Sequence, residues 1–373
     1  MEDRASGRES MPVRAAGDGK GAMKVTGKPQ PVGAAGPGPQ GLAVGLVGAG
    51  TMARAHLPAW LALGARVAVW SAGGGAARLA EEYRAEGVTV APDLDGLIGR
   101  STVVDICTPT PSHPALALAA IAEGRSVVCE KPLALTPQDA AEIVRAAEAA
   151  GVLLFPAHVV RYFPAYEAAA ASVARGELGE PRELRFTRGG AYPVWSPWFA
   201  DPALSGGILM DLMIHDMDYA RLLAGEVASV RAEAQSSPST APGGARAEGT
   251  AVLTHASGAV SRLSATWGRA DVPFRTTFKV TGTRGVVAHD STAPTGLGAP
   301  SGTGEAPAAE SPAEPAAESP YLTQLREFTA TFAGGPAPRV SARDAVAAVR
   351  IAAAAVLSAR TGETVDLTSD AEV

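Results

Sequence analysis

A short apolar strand runs directly into a glycine-rich turn and then into a helical pattern, and this order constrains the fold more than any other feature of the chain. The strand covers residues 42–47, and the turn reads Gly48-Ala49-Gly50-Thr51-Met52-Ala53. Gly48 permits a tight turn, Gly50 lets the backbone approach a phosphate, and the small Ala53 allows close packing of helix on strand. Because helix N-termini favour anions, the pattern predicts a pyrophosphate site at this turn.

The segments that follow keep alternating between apolar strands and helical patterns. We predict strands at 66–70, 102–107 and 126–130, and helices at 76–84, at 114–123 and after the threonine cap Thr136. This alternation is typical of a doubly wound parallel sheet with helices on both faces. The sequence therefore predicts an α/β protein with a dinucleotide-binding Rossmann domain over residues 41–158.

The end of the second strand bears on the choice of dinucleotide. That strand ends in Trp70-Ser71, and no acid follows before Glu81, whereas an acid at this point holds the ribose hydroxyls of NAD. Without the carboxylate nothing repels a 2′-phosphate, and Ser71, the amides of residues 73–75 and Arg78 could bind one. The sequence favours NADP, and NAD bound through Ser71 or a water is the alternative.

Two further segments lie at predicted strand ends, where open α/β sheets bind ligands. Thr108 and Pro109 begin a rigid loop that leads to His113, which is interpreted either as a helix cap or as a cofactor contact. The next strand closes with Cys129-Glu130-Lys131-Pro132, and beyond residue 40 the chain keeps only two lysines, Lys131 and Lys279. A retained lysine indicates chemistry that arginine cannot perform. A solvated surface lysine is the alternative.

The run from Gly206 to Asp218 is apolar enough that its polar residues need a reason. Asp211 and His215 are four residues apart, which places both on one face of a helix, and Asp218 lies near that face. A histidine can take a hydroxyl proton near neutral pH, and a nearby acid can orient it. A purely structural Asp-His pair is the alternative. We predict no metal site, because two ligands lack a companion cluster, and Cys107 and Cys129 are interpreted as small buried hydrophobes.

The second half of the chain alternates with period two, which is typical of an open, mostly antiparallel sheet. Strands are predicted at 184–187, 229–234, 250–255, 259–267 and 277–281, with tight turns at 257–258 and 282–285. One face of such a sheet is left for substrate or for another copy of the chain, which favours a homodimer or homotetramer. We expect a substrate and oligomerisation α/β domain over residues 159–367, whose helix at 341–358 packs back on the first domain.

The composition restricts the partners and the compartment. The chain has 373 residues, a formal charge of -6 and a pI near 5.6, which argues against nucleic-acid binding. No apolar run approaches the roughly 20 residues of a membrane helix, and two cysteines do not make a disulfide framework. We therefore expect a cytoplasmic protein with a small-molecule partner and no membrane partner. Residues 1–40 are predicted to be a disordered leader and residues 291–320 a low-complexity loop.

Together these motifs resemble the Gfo/Idh/MocA oxidoreductases, the family of glucose-fructose oxidoreductase and inositol dehydrogenase, over roughly residues 42–367. The family's order is kept by the glycine turn, Thr108-Pro109 with His113, Glu130-Lys131-Pro132, segment 161–166 and the run from Gly206 to Asp218. The resemblance implies that the catalytic residues are Lys131, Asp211 and His215. Together with Ser71, which is inferred from the end of the second strand, the predicted cofactor contacts are Gly48, Gly50, Thr51, Met52, Thr108, Pro109, His113, Glu130 and Lys131. The missing acid after the second strand and the long 291–320 stretch depart from the family pattern.

The activity that the resemblance implies is hydride transfer between a nicotinamide and a secondary alcohol of a sugar, polyol or cyclitol. His215 would remove the hydroxyl proton, Lys131 would hydrogen-bond the oxygen, and Asp211 would orient His215 or bind an adjacent hydroxyl. Sugar contacts are expected among Arg161, Tyr162, Trp195 and Trp198. An NAD-dependent glycoside hydrolase and a non-catalytic dinucleotide-binding sensor are the alternatives within the same family.

Overall fold

The computed structural model describes residues 41–193, 197–237, 245–293 and 318–368. The expected leader at 1–40, the sugar-contact candidate Trp195 and residues 294–317 of the low-complexity stretch lie outside these ranges.

Six parallel strands form the first sheet, in the order β3-β2-β1-β4-β5-β6. The strands are β1 Ala43–Val47, β2 Arg66–Trp70, β3 Thr89–Val90, β4 Val103–Ile106, β5 Ser126–Glu130 and β6 Leu154–Ala157. The helices between them are α1 Thr51–Ala62, α2 Gly75–Glu82, α3 Leu94–Arg100, α4 His113–Ala122 and α5 Pro137–Ala150. The order reverses between β1 and β4, and open α/β sheets bind ligands at such a switch point. The predicted doubly wound sheet is confirmed.

The second sheet has seven strands in the order β12-β11-β7-β10-β9-β8-β13. These are β7 Pro181–Ala191, β8 Val227–Ser237, β9 Arg246–His255, β10 Val260–Gly268, β11 Arg275–Gly282, β12 Val286–Asp290 and β13 Val365–Asp366. Among the pairs that the structure describes in this second sheet, only β7 and β10 are parallel. Along β10 the side chains of Leu263 and Ala265 are buried, whereas Arg262 and Thr266 are exposed. The prediction of a mostly antiparallel sheet with one open face is confirmed.

The helices of the second half are α6 Pro164–Ala174, α7 Pro202–Ser205, α8 Gly207–Asp211, α9 Ile214–Ala224, α10 Pro320–Phe332 and α11 Ala342–Thr361. The expected single helix through Asp211 and His215 is wrong, because α8 ends at Asp211 and α9 begins at Ile214. The amide of Met213 donates to the carbonyl of Ile208, five residues back, at 2.9 Å. Such a wide turn interrupts the regular helix ladder and separates the two helices.

Two C-terminal helices connect the second half of the chain to the first sheet. Helix α11 packs against both β8 and α5, and its start carries a capping box in which Ser341 and Asp344 bond reciprocally. Helix α10 packs on α1, and its Phe328 stacks on Phe155 of β6 with ring centroids 4.6 Å apart. None of the helices in the described ranges is long and apolar enough to cross a membrane.

Candidate active site

The glycine turn leaves the N-terminus of α1 open to an anion. Gly48 has a φ of 115°, and a Cβ there would lie 2.4 Å from the carbonyl oxygen of Cys107, so only glycine fits. Gly50 precedes α1, which has no side-chain cap, and a Cβ at Gly50 would meet nothing within 4 Å. The first N–H groups of a helix lack partners within that helix. Together with the exposed Thr51 and the half-buried Met52, this turn fits a dinucleotide pyrophosphate.

The end of β2 is a short serine and glycine loop without an acid. The Ser71 hydroxyl accepts a hydrogen bond from the amide of Ala76 at 3.0 Å and so caps α2. Gly73 and Gly74 are exposed, and Gly74 adopts a left-handed φ of 73°. On α2 the side chain of Arg78 is 80% exposed and lies 4.0 Å from Glu82. Ser71 thus stabilises the start of α2 by accepting a hydrogen bond. Its hydroxyl proton takes no part in that bond and could be donated to a ligand.

Lys131 follows β5 of the first sheet, Asp211 ends helix α8 of the second half, and the two residues meet directly. The Lys131 ammonium donates to the main-chain carbonyl of Asp211 at 2.7 Å and to its carboxylate at 3.2 Å. Both side chains are largely buried, with exposures of 14% and 10%. The interpretation of Lys131 as a solvated surface residue is therefore wrong. The break between α8 and α9 assists this contact, because the end of α8 presents an Asp211 carbonyl to the lysine.

His215 lies in the first turn of α9 and is half-buried. Burial lowers its pKa well below the usual value, and the nearby positive charges of Lys131 and Arg188 lower it further. Its Nδ1 is buried without a hydrogen-bond partner among the described residues. Asp211 pairs with Lys131 instead, so no bond between Asp211 and His215 supports the expectation that this acid orients the ring. The imidazole is neutral at neutral pH and able to accept a proton.

Two expected cofactor contacts point into the protein. His113 is 1% exposed, and its two ring nitrogens lie 2.8 Å from the carbonyl oxygens of Thr108 and Pro132. The ring therefore ties the Thr108-Pro109 loop to the turn after Lys131, and neither the helix-cap nor the direct cofactor interpretation of its side chain holds. Glu130 is 4% exposed, and its carboxylate accepts from the amide of Lys131 at 3.1 Å. It lies beneath the site rather than in the cleft.

Three residues that were expected near the substrate, Asp218, Arg161 and Tyr162, make hydrogen bonds inside the protein instead. Asp218 does not share a free face with Asp211, because Arg161 donates to its carboxylate at 2.5 and 2.8 Å in a buried ion pair. Arg161 also donates to the carbonyl of Arg339 at 2.9 Å. Tyr162 is 2% exposed and donates to Glu327 at 3.1 Å. Arg161 and Tyr162 are thus excluded as sugar contacts, because their polar groups are occupied inside the protein.

The sequence did not single out several buried polar residues around the site. Arg188 of β7 pairs with Asp216 at 2.7 and 3.0 Å, which fixes α9 on the second sheet. His158 follows β6, is 1% exposed, and has its Nδ1 at 3.6 Å from Asp218. Cys107 is more than a buried hydrophobe, because its sulfur lies 3.5 Å from the ring of His56. These pairings join residues distant in sequence, and only the polar residues within apolar segments hinted at them.

A glycine turn on a parallel sheet, a buried lysine at a strand end and an imidazole from a second lobe define a two-domain, dinucleotide-dependent oxidoreductase. Residues 42–158 match the family model described as an oxidoreductase family with an NAD-binding Rossmann fold, and residues 166–288 match the GFO/IDH/MocA C-terminal domain. The chain belongs to the Gfo/Idh/MocA family, as its motifs indicated.

Proteins with assigned activities are similar to most of the chain. It is 31% identical to D-apiose dehydrogenase of Paraburkholderia graminis over 87% of this chain and 89% of that protein. It is 32% identical to the myo-inositol dehydrogenase Hyg17 of Streptomyces leeuwenhoekii over 77% of this chain and 87% of that protein. The solved structure of levoglucosan dehydrogenase with NADH and L-sorbose covers 88% of this chain and 99% of its own, with a TM-score of 0.72 and 25% identity.

Proposed function

We propose that this protein transfers hydride between a nicotinamide dinucleotide and a secondary alcohol of a sugar, polyol or cyclitol. The observation that carries the proposal is the contact between Lys131 and Asp211, which brings an ammonium from the first sheet beside the helix that bears His215. The similar D-apiose, myo-inositol and levoglucosan dehydrogenases support this substrate class.

The catalytic roles follow from the charge states of the three residues. In the oxidative direction the neutral His215 accepts the hydroxyl proton, because its lowered pKa keeps the ring unprotonated. The Lys131 ammonium donates a hydrogen bond to the substrate oxygen as it becomes a carbonyl, while Asp211 holds the amine in place. A bound nicotinamide would supply the acceptor for the hydride that leaves the same carbon.

We propose NADP as the preferred dinucleotide. The support is the missing acid at the end of β2, the free hydroxyl proton of Ser71 and the exposed Gly73 and Gly74. Arg78 on α2 could turn to a 2′-phosphate, since its one ion pair within the described ranges is the long contact with Glu82 at 4.0 Å. NAD bound to the same loop is the competing arrangement, and NADH accompanies the similar levoglucosan dehydrogenase.

We also propose a homodimer or homotetramer that forms through the open face of the second sheet. Among the exposed side chains of this face are Arg185 of β7, Thr266 of β10 and Thr250 of β9, which lie on the three central strands. Such a broad polar face is suited to a second copy of the chain.

The direct test is absorbance at the reduced-nicotinamide band across a panel of sugars, polyols and cyclitols, with NAD and NADP supplied separately. We expect net reduction with at least one alcohol. Release of free sugar from a glycoside without net reduction would instead identify a hydrolase, and dinucleotide binding without any turnover would identify a sensor.

Lys131→Arg tests the central role. Arginine keeps the positive charge but replaces the compact amine, so kcat should fall by about a hundredfold or more while the dinucleotide binds nearly normally. Binding is measured by nicotinamide fluorescence and turnover by absorbance. Turnover within a few fold of the unmodified protein would contradict the role given to Lys131.

A further inference from the structure

A fully buried group of charged side chains lies beneath Lys131, between the first sheet and helices α1 and α10. His56 comes from α1, Asp105 from β4 and Glu130 from the end of β5. His56 and Asp105 are 0% exposed and Glu130 is 4% exposed. Buried charges are expensive unless they are paired. Neither the fold nor the catalytic roles above explain why these three charged side chains are buried together.

His56 bridges the two carboxylates. Its Nδ1 lies 2.9 Å from Asp105, and its Nε2 lies 3.1 Å from Glu130. The second contact is an ion pair of poor hydrogen-bond alignment, since neither atom has a geometric hydrogen-bond partner. The indole of Trp60 also donates to Asp105, at 2.7 Å.

The bridge indicates that His56 is an imidazolium. A carboxylate only accepts hydrogen bonds, so a ring nitrogen that faces one does best with a proton. Burial is the largest single effect and lowers the pKa of His56, but the contacts with Asp105 and Cys107 together outweigh it, so the net pKa lies well above the usual value. One positive ring thus offsets part of the charge of two buried acids.

A metal ion would be another explanation, because ligand atoms of His56, Asp105 and Cys107 lie within 4.8 Å of one another. Burial raises the pKa of the Cys107 thiol, which opposes the thiolate that a metal needs. The 2.9 Å distance between Nδ1 and Asp105 is also that of an ordinary hydrogen bond. A protonated His56 ring therefore explains how the two carboxylates are held, without a metal ion.

The group reaches the lysine through Glu130. One carboxylate oxygen of Glu130 faces His56, and the other accepts from the amide of Lys131 at 3.1 Å. From the same residue the side chain of Lys131 extends to Asp211. A continuous line of polar contacts therefore runs from helix α1, which begins at the glycine turn, to the main-chain amide of Lys131.

We propose that His56 is a positioning residue for Lys131: its imidazolium fixes the Glu130 carboxylate, which holds the main chain from which the lysine projects. The expected loss of kcat on changing His56 rests on the proposed function, whereas the expected change in the Lys131 main chain does not. His56 itself touches no substrate.

His56→Gln tests the kinetic consequence in the full-length enzyme. Glutamine keeps polarity but removes the charge, so Glu130 loses its cation and the lysine its fixed main chain. We expect kcat to fall by about tenfold or more while both KM values stay within about threefold. Adding Glu130→Gln should recover most of the lost kcat, because a neutral amide pair can still accept from the Lys131 amide.

The structural consequence is read by NMR of protein labelled with ¹⁵N-lysine, which needs no turnover. The Lys131 amide signal is assigned by its loss in Lys131→Arg. In His56→Gln this signal should shift, because its hydrogen-bond acceptor is no longer fixed. In the unmodified enzyme labelled with ¹⁵N-histidine, both ring nitrogens of His56 should be protonated at pH 8.

The matched control is His255→Gln, which alters a buried histidine of the second sheet that bonds Gly225 and Ser261. It should lower stability yet leave kcat and the Lys131 amide signal unchanged. A neutral His56 ring at pH 8, or an unmoved Lys131 signal in folded His56→Gln, would overturn the inference. Failure of the proposed function looks different, since the unmodified enzyme would then reduce no dinucleotide while the NMR outcomes stood.

Discussion

Some residues of this site present groups suited to chemistry, and others hold those residues in position. Lys131 and His215 present groups able to hold or accept a proton, whereas Asp211 fixes the lysine through its carbonyl and its carboxylate. His113 and Glu130 resemble ligand contacts in sequence, yet each is directed inward and holds the loops around Lys131. Individual side chains of one motif therefore have separate roles.

The pH dependence of oxidation is a prediction at this scale. His215 has an ordinary pKa of 6.5, and burial together with Lys131 lowers it. Because the proposed base is the neutral ring, kcat/KM for oxidation should hold steady from neutral pH down to 6.5 and fall only below it. His215→Asn should lower kcat/KM and remove this acid limb, as measured from initial rates between pH 5 and 9. An acid limb that persists in His215→Asn would exclude His215 as the base.

Ser71→Asp tests the dinucleotide choice. The aspartate can still accept from the amide of Ala76, but its charge would repel a 2′-phosphate and suit the free ribose hydroxyls of NAD. We expect kcat/KM for NADP to fall by about tenfold or more relative to NAD. Ser71→Asn is the neutral control and should change this ratio far less. An equal NADP-to-NAD ratio in both variants would contradict the proposed site.

At the scale of elements, the sequence patterns predicted correctly those strands and helix starts that depend on interactions between residues close in sequence. The strands at 66–70 and 126–130 and the Ser341 cap are confirmed, because apolar runs and caps act over a few residues. β3 has only two residues, both exposed, and carries no apolar signal. The break after Asp211 coincides with a turn bond that reaches five residues back. The pairing of Arg161 with Asp218 depends on tertiary contact. Neither could be read from spacing.

Loss of one helix cap should cost measurable stability. Ser341→Ala removes the side chain that accepts from the amide of Asp344 at 3.1 Å, at the start of the helix that joins both sheets. The free energy of unfolding should fall by about 1 kcal/mol in urea titrations. Ser319→Ala is the matched control, because Ser319 precedes α10 without a side-chain cap bond. Equal losses in both variants would mean that the capping box contributes nothing specific.

Across the whole molecule, the site depends on two sheets that one chain holds together. The first sheet supplies the glycine turn and Lys131, the second lobe supplies Asp211 and His215, and α11 packs against elements of both. The family motifs singled out Lys131, Asp211 and His215, but the sequence could not reveal that Asp211 pairs with Lys131 rather than with His215. The direction of a side chain at a strand end depends on packing from distant elements such as α10.

Thr266→Arg tests the proposed assembly. Thr266 is exposed on β10, the central strand of the open face. An unpaired arginine charge buried between two copies would be costly, so the dissociation constant should rise by about tenfold or more. Sedimentation equilibrium measures it, with Glu123→Arg at the end of α4 as a control on the other sheet. A monomeric unmodified protein, or an unaltered constant in Thr266→Arg, would exclude this face.

The packing of α10 on α1 affects how the protein is made. Phe328 stacks on Phe155, and Leu325 and Val340 join the same apolar cluster under the glycine-turn helix. A ribosome finishes the six strands of the first sheet long before it reaches these residues. The nascent first domain therefore emerges with one flank uncovered, and it gains that cover only when the last part of the chain has been synthesised.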